Sequence, residues 1–210
     1  MKYTKRVFLI LLMVCLTVAF FNRSMTGNLS AAEEKKYVLS EEEKKAIEVM
    51  EAYATPSEKH KYLQYFVGEW DSLMKFLDEK GSVMMTGTQT ITVKSIFGER
   101  FLWATLKGVL YEKPYEAYVI TGFNNYKKEI FAFQISSSGT AYFISSGTLS
   151  EDNKVRTETG TMDDELTGKK INVKAVTTLI DQDHYTYDFY LVDETGKEIK
   201  YMEILYTRKK

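Results

Sequence analysis

From Gly68 onward the chain reads as ten short stretches of mixed apolar and polar residues, joined by connections too short to hold a helix. The stretches fall at about 68–77, 83–93, 98–109, 115–123, 129–136, 140–149, 153–162, 170–180, 184–192 and 198–208. Asp78-Glu79-Lys80-Gly81, Asn124-Asn125-Tyr126-Lys127, Thr167-Gly168 and Asp193-Glu194-Thr195-Gly196 supply the residue types that tight turns use. A parallel pair needs a crossover of a dozen residues or more, so sequence neighbours here must pair antiparallel. Ten meandering strands leave two bare edges unless the last returns to the first. The spacing therefore predicts an all-β fold, an antiparallel up-and-down β-barrel of about ten strands.

Short N-terminal helices precede the strands. Ser40 followed by Glu41, Glu42 and Glu43 starts the first, within a charged linker and short helix over 33–57. Thr55-Pro56-Ser57-Glu58 starts the second, whose stripe of Tyr62, Leu63, Phe66 and Val67 must be buried against something. The end of the barrel is the nearest partner, so this helix is expected to plug it. His60, in the helix's charged first turns, is read as a surface residue. The barrel domain is assigned to 58–210.

Residues 1–32 differ. Lys2, Lys5 and Arg6 precede an apolar run from Val7 to Phe21, and Ser30-Ala31-Ala32 suits signal-peptidase cleavage. The reading is a signal peptide or, uncleaved, a membrane tether through residues 7–21, and hence a secreted or extracytoplasmic, membrane-anchored or free, location. Cys15 is the chain's one cysteine, so residues 33–210 can form no disulfide and depend on packing. Four of the 28 basic residues and none of the 29 acidic ones precede Glu33, leaving 24 against 29 in the remainder. That balance argues against a nucleic-acid partner.

Parity assigns faces. Phe131, Phe133 and Ile135 share one face of their strand, Val173, Ala175 and Thr177 one of theirs, and Tyr185, Tyr187 and Phe189 another. In the last strand Met202, Ile204, Tyr206 and Arg208 point one way and Glu203 the other. If the Met202 set faces inward, closure brings Arg208 over Trp70, with Gly68 allowing close backbone approach. The stretch 155–161 has no wholly apolar face, because Arg156 and Glu158 alternate with Val155 and threonines. Its interior side is either wet or loosely packed.

The helix running into Gly68-Glu69-Trp70, then Gly98-Glu99-Arg100-Phe101-Leu102, Gly122-Phe123-Asn124-Asn125-Tyr126 and the closing Met202-Glu203-Ile204-Leu205-Tyr206-Thr207-Arg208-Lys209, form an ordered series. With them the chain resembles the domain of unknown function 1579 family and, more distantly, the lipocalin and nitrobindin-like barrels grouped as calycins. The resemblance implies a lipocalin-like barrel with Trp70 and Arg208 near its closed end, and no settled activity. Asn124 and Ser136 stand where relatives tend to carry carboxylates, which weakens any acid-base or metal role there.

No cofactor, metal-ligand set or catalytic group emerges. Asp181, Asp183 and His184 read as turn chemistry, and no histidine–acid pair is placed to activate Ser136, Ser137 or Ser138. Glu99, Glu116, Glu158 and Glu203 have no fixed separation that would pair them for acid-base work. An enzyme is the least favoured of three readings. The first is an extracytoplasmic carrier of a small apolar or amphipathic ligand, with Trp103, Phe133 and Gln134 as its wall and Gly68, Trp70 and Arg208 as structural residues. Phe133 and Gln134 lie on opposite faces, so at most one lines the lumen. The alternative is a packed structural or interaction domain of the cell envelope. A cavity of about 300 Å³ or more separates the two.

Overall fold

The structure is a computed structural model that describes residues 38–110, 112–164 and 167–210. Helix α1 (Glu41–Ala54) opens with Ser40, whose Oγ and backbone N–H both donate to the Glu43 carboxylate at 2.9 Å. Along its 14 residues α1 buries no side chain. Its C-terminal carbonyls are nevertheless held, because Arg100 Nε donates to Ala54 O at 2.7 Å and Asn125 Nδ2 to Tyr53 O at 2.9 Å. Helix α2 (Glu58–Gln64) follows, then the strands β1 (Gly68–Leu77), β2 (Val83–Ile96), β3 (Phe101–Leu110), β4 (Lys113–Asn124) and β5 (Glu129–Ser136). The remainder are β6 (Tyr142–Leu149), β7 (Val155–Asp163), β8 (Lys170–Leu179), β9 (His184–Val192) and β10 (Glu198–Arg208).

Every strand pairs antiparallel with its neighbours in sequence, and β10 returns to β1, so the sheet is a closed barrel. The closing register sets Trp70 against Arg208, Ser72 against Tyr206, Met74 against Ile204 and Phe76 against Met202. Closure leaves no free sheet edge. The turns are made as their residues dictate: Asn124 Oδ1 accepts from the backbone of Tyr126 and Lys127, and Asp193 Oδ1 from Thr195 and Lys197.

One end is plugged by α2. Tyr62, Leu63 and Phe66 enter the same buried cluster as Trp70, Tyr185 and Tyr206. Trp70 Nε1 donates to Phe66 O at 2.8 Å, which satisfies the indole inside this apolar plug. His60 departs from its expected surface position, because its ring is buried edge-on to Phe123 at 5.8 Å. There Nδ1 accepts the Ser57 backbone N–H at 2.9 Å, so the imidazole serves as the N-terminal cap that Glu or Gln usually provides.

Two further expectations are corrected. The membrane tether, and the secreted or membrane-anchored location inferred with it, gain no spanning element: among the described residues no helix is long and apolar enough to cross a membrane. The leader at 1–32, including residues 7–21 on which both rested, lies outside the described residues. Both expectations are withdrawn.

Candidate functional site

The barrel encloses a cavity of about 380 Å³. Its wall follows the inward parity of each strand. Met74 and Phe76 come from β1, Gln89 and Ile91 from β2, Leu102 and Leu106 from β3, Ala132 from β5 and Ile204 from β10. Apolar side chains make up most of the surface. A second cavity of about 320 Å³ shares Met74, Phe76 and Leu110 with the first and reaches Glu112 beyond the end of β3. That is the end of β1 away from Trp70 and the α2 plug.

One sector of the wall is charged. Arg156 and Glu158, two residues apart on β7, both point inward, and Arg156 Nε stands 2.9 Å from Glu158 Oε2. The Nε–H is not directed at that oxygen, so the contact is ionic and the N–H has no hydrogen-bond partner. Glu158 is fully buried and accepts from Ser145 Oγ at 3.2 Å. Its cross-strand partner is Gly147, where a Cβ would collide with the Thr157 carbonyl and lie 2.7 Å from Cα of Glu158. Only glycine lets β6 pass this close to β7.

Phenols surround the guanidinium. Burial opposes the Arg156 charge, but Glu158 beside it and the nearby Tyr62, Tyr187 and Tyr185 lift its pKa above the ordinary arginine value. Burial in turn pushes the Tyr62 phenol up to about 12 and raises those of Tyr187 and Tyr206. These hydroxyls therefore stay protonated at neutral pH. Tyr62 Oη and Thr177 Oγ1 are buried without a hydrogen-bond partner, and Thr177 faces Arg156 across the β7–β8 ladder.

Of the three wall residues read from the sequence, Gln134 lines the cavity. Trp103 and Phe133 lie on the outer face, where Trp103 packs on Tyr118 at 5.4 Å and Phe133 stacks on Tyr142 at 5.9 Å. The inward residues of β5 are Ile130, Ala132 and Gln134, so the face that Phe131, Phe133 and Ile135 share is the outer one. A single outer row of register partners, Trp103, Ile120, Phe133 and Ile144, explains why: the outside of β3 to β6 is as apolar as the inside. On β8, β9 and β10 the grouped face is the inner one, with Val173, Ala175, Tyr185, Ile204 and Tyr206 buried. The structural trio also sits together. Arg208 Cζ is 4.0 Å from the Trp70 ring centroid, and a Cβ on Gly68 would lie 3.1 Å from Arg208 Nη1.

Sequence reasoning did not select Arg156 and Glu158 as site residues, although the stretch without an apolar face pointed at them. Of the other acidic candidates Glu99 is exposed in the turn after β2 and two face outward: Glu203 pairs with Lys75 at 2.9 Å, and Glu116 accepts from Tyr118 Oη at 2.9 Å. Asp181 and His184 bind one another in the turn before β9, with Nδ1 at 2.9 Å from the carboxylate. Among the described residues no group of three or more His, Cys, Asp or Glu side chains is arranged to hold a metal ion.

Closed topology, helical plug and internal cavity together define a lipocalin-like up-and-down β-barrel. More particularly, the chain belongs to the DUF1579 family, described as "Protein of unknown function", whose pattern matches residues 55–208. Among solved structures, the crystal structure of Rv2717c from M. tuberculosis aligns with a TM-score of 0.54 at 14% identity, covering 74% of this chain and 100% of that one. The S-type phycobiliprotein lyase CPES from Guillardia theta aligns with a TM-score of 0.47 at 11% identity, covering 76% and 97%. At such identity the likeness to Rv2717c concerns the fold alone. No match is found among curated proteins.

Proposed function

We propose that this protein binds a small apolar or amphipathic molecule inside its barrel and acts as a carrier or sensor of it. The observation that carries the reading is the cavity of about 380 Å³ with its mostly apolar wall. A packed structural domain fills such a space with side chains, because protein interiors close to crystal-like density. Ligand sites instead run from about 300 to 1,000 Å³ and combine apolar walls with a few convergent polar groups. Gln89, Gln134, Arg156 and Glu158 are such groups here.

The test is titration of the full chain with Nile red, a neutral dye that brightens in apolar surroundings. Saturable one-to-one binding is expected. Ala104→Phe and Ala132→Phe, which place rings in the lumen from β3 and β5, are expected to abolish it while thermal unfolding stays cooperative. Absence of saturable binding, or binding indifferent to both lumen-filling replacements, overturns the reading.

A further inference from the structure

The charged sector of the wall narrows the ligand class. Arg156 keeps 13% of its side-chain surface open, and it lines the cavity. A guanidinium carries five N–H donors and no acceptor. Nε lies against Glu158 without hydrogen-bonding to it, and it is buried with no other partner among the described residues. Tyr62 Oη adds another unpartnered hydroxyl in the same neighbourhood. In this corner no acceptor is placed for the Arg156 Nε–H or for the Tyr62 hydroxyl.

It does not lack negative charge. Glu158 already balances Arg156, and it is buried, with its second oxygen taken by Ser145. A carboxylate ligand would set two anions beside one cation in a low-dielectric interior, where like charges raise one another's cost steeply. A neutral carbonyl avoids this penalty and still accepts two hydrogen bonds. Resting on the binding reading above, we infer that the barrel selects a neutral molecule with an apolar body and a carbonyl-type acceptor, which Arg156 holds, and that Glu158 turns anionic analogues away.

Three probes of matched carbon count separate the possibilities by displacement of Nile red from the full chain: butylbenzene, butyrophenone and 4-phenylbutanoate. Butyrophenone is expected to bind at least tenfold tighter than butylbenzene and at least tenfold tighter than 4-phenylbutanoate at pH 7.5. Arg156→Met is expected to erase the advantage over butylbenzene. Glu158→Gln is expected to close the gap between the carboxylate and the ketone. Where Arg156→Met alone does not fold, the double replacement Arg156→Met/Glu158→Leu leaves no unpaired charge and serves the same comparison. Equal affinity for ketone and hydrocarbon, or a carboxylate that binds best, overturns the inference and leaves the binding reading intact. Failure of Nile red and all three probes overturns both.

Discussion

Arg208 stands over Trp70, its Cζ 4.0 Å from the indole centroid, at the register position where the last strand meets the first. The same guanidinium donates to Val67 O at 2.8 Å, to Tyr65 O at 2.6 Å and to Gln182 O at 3.2 Å. It thus fastens the segment leaving α2 and the turn before β9 onto the closing seam. These contacts differ in kind: the cation–π contact contributes about 0.5–2 kcal/mol, and each hydrogen bond about 0.5–1.5 kcal/mol net. The ion pair to Asp183, at 3.7 Å and half-exposed, adds little.

Arg208→Ala is therefore expected to destabilise the barrel by about 2–4 kcal/mol, read as a lower urea midpoint. Arg208→Lys is expected to recover less than half of that loss. A point charge keeps some attraction to the indole but cannot reach several carbonyls with a planar fork. An unchanged midpoint in the alanine variant would show that the seam closes without this residue.

Gly68 has φ 127, a conformation that disfavours every residue with a Cβ. Gly68→Ala is expected to cost about 1–3 kcal/mol, from backbone strain together with pressure on Arg208. The second part has its own signature. In a double-mutant cycle with Arg208→Ala the two losses should sum to less than their separate values, because the obstructed group is then gone. Strict additivity would place the whole effect in the backbone.

The strand boundaries were legible because short connections and turn residues leave few alternatives, and closure followed from the edge problem. The plug was legible from one apolar stripe on α2. What parity could not settle was inside against outside wherever both faces are apolar. On β5 the larger rings, Phe131 and Phe133, face out while Ala132 and Gln134 face in, because the lumen there keeps space open. On β8 to β10 the face that parity groups is the buried one, with Val173, Ala175, Tyr185 and Ile204 inside. His60 was misread for a related reason. Its neighbours in sequence are charged, but its ring points the other way, under the turn and against Phe123. Arg156 and Glu158 broke the expected pattern, and that break was the visible sign of the site.

The buried pair makes a prediction about stability that is separate from binding. Removing one member of such a pair leaves an uncompensated charge, at a cost of about 3–5 kcal/mol. Glu158→Leu alone should show that loss in chemical denaturation. Arg156→Met/Glu158→Leu should recover most of it, because desolvating two charges offsets much of their attraction. A double variant as unstable as the single one would mean that the pair holds the fold together, rather than being tolerated for what it presents to the cavity.

His60 gives the barrel a pH dependence whose sign follows from its surroundings. Burial, with the Arg100 charge adding to it, holds the imidazole below its ordinary value near 6.5. Nδ1 accepts the Ser57 N–H, so a proton there would break the cap at the start of α2. The unfolded chain takes up its proton near pH 6.5, while the folded chain resists until lower pH. The contribution of His60 is therefore complete above that value and is lost as pH falls below it toward the folded-state value. His60→Gln retains an acceptor for the Ser57 N–H and does not titrate. The difference in unfolding free energy between the native chain and this variant should be constant above about pH 7.5 and should shrink, to the native chain's disadvantage, as pH falls below about 6.5. Acidic side chains elsewhere titrate in both proteins and cancel in the difference. A difference that stays flat through this window would mean that the imidazole can be protonated in place, with the plug opening enough to hydrate it.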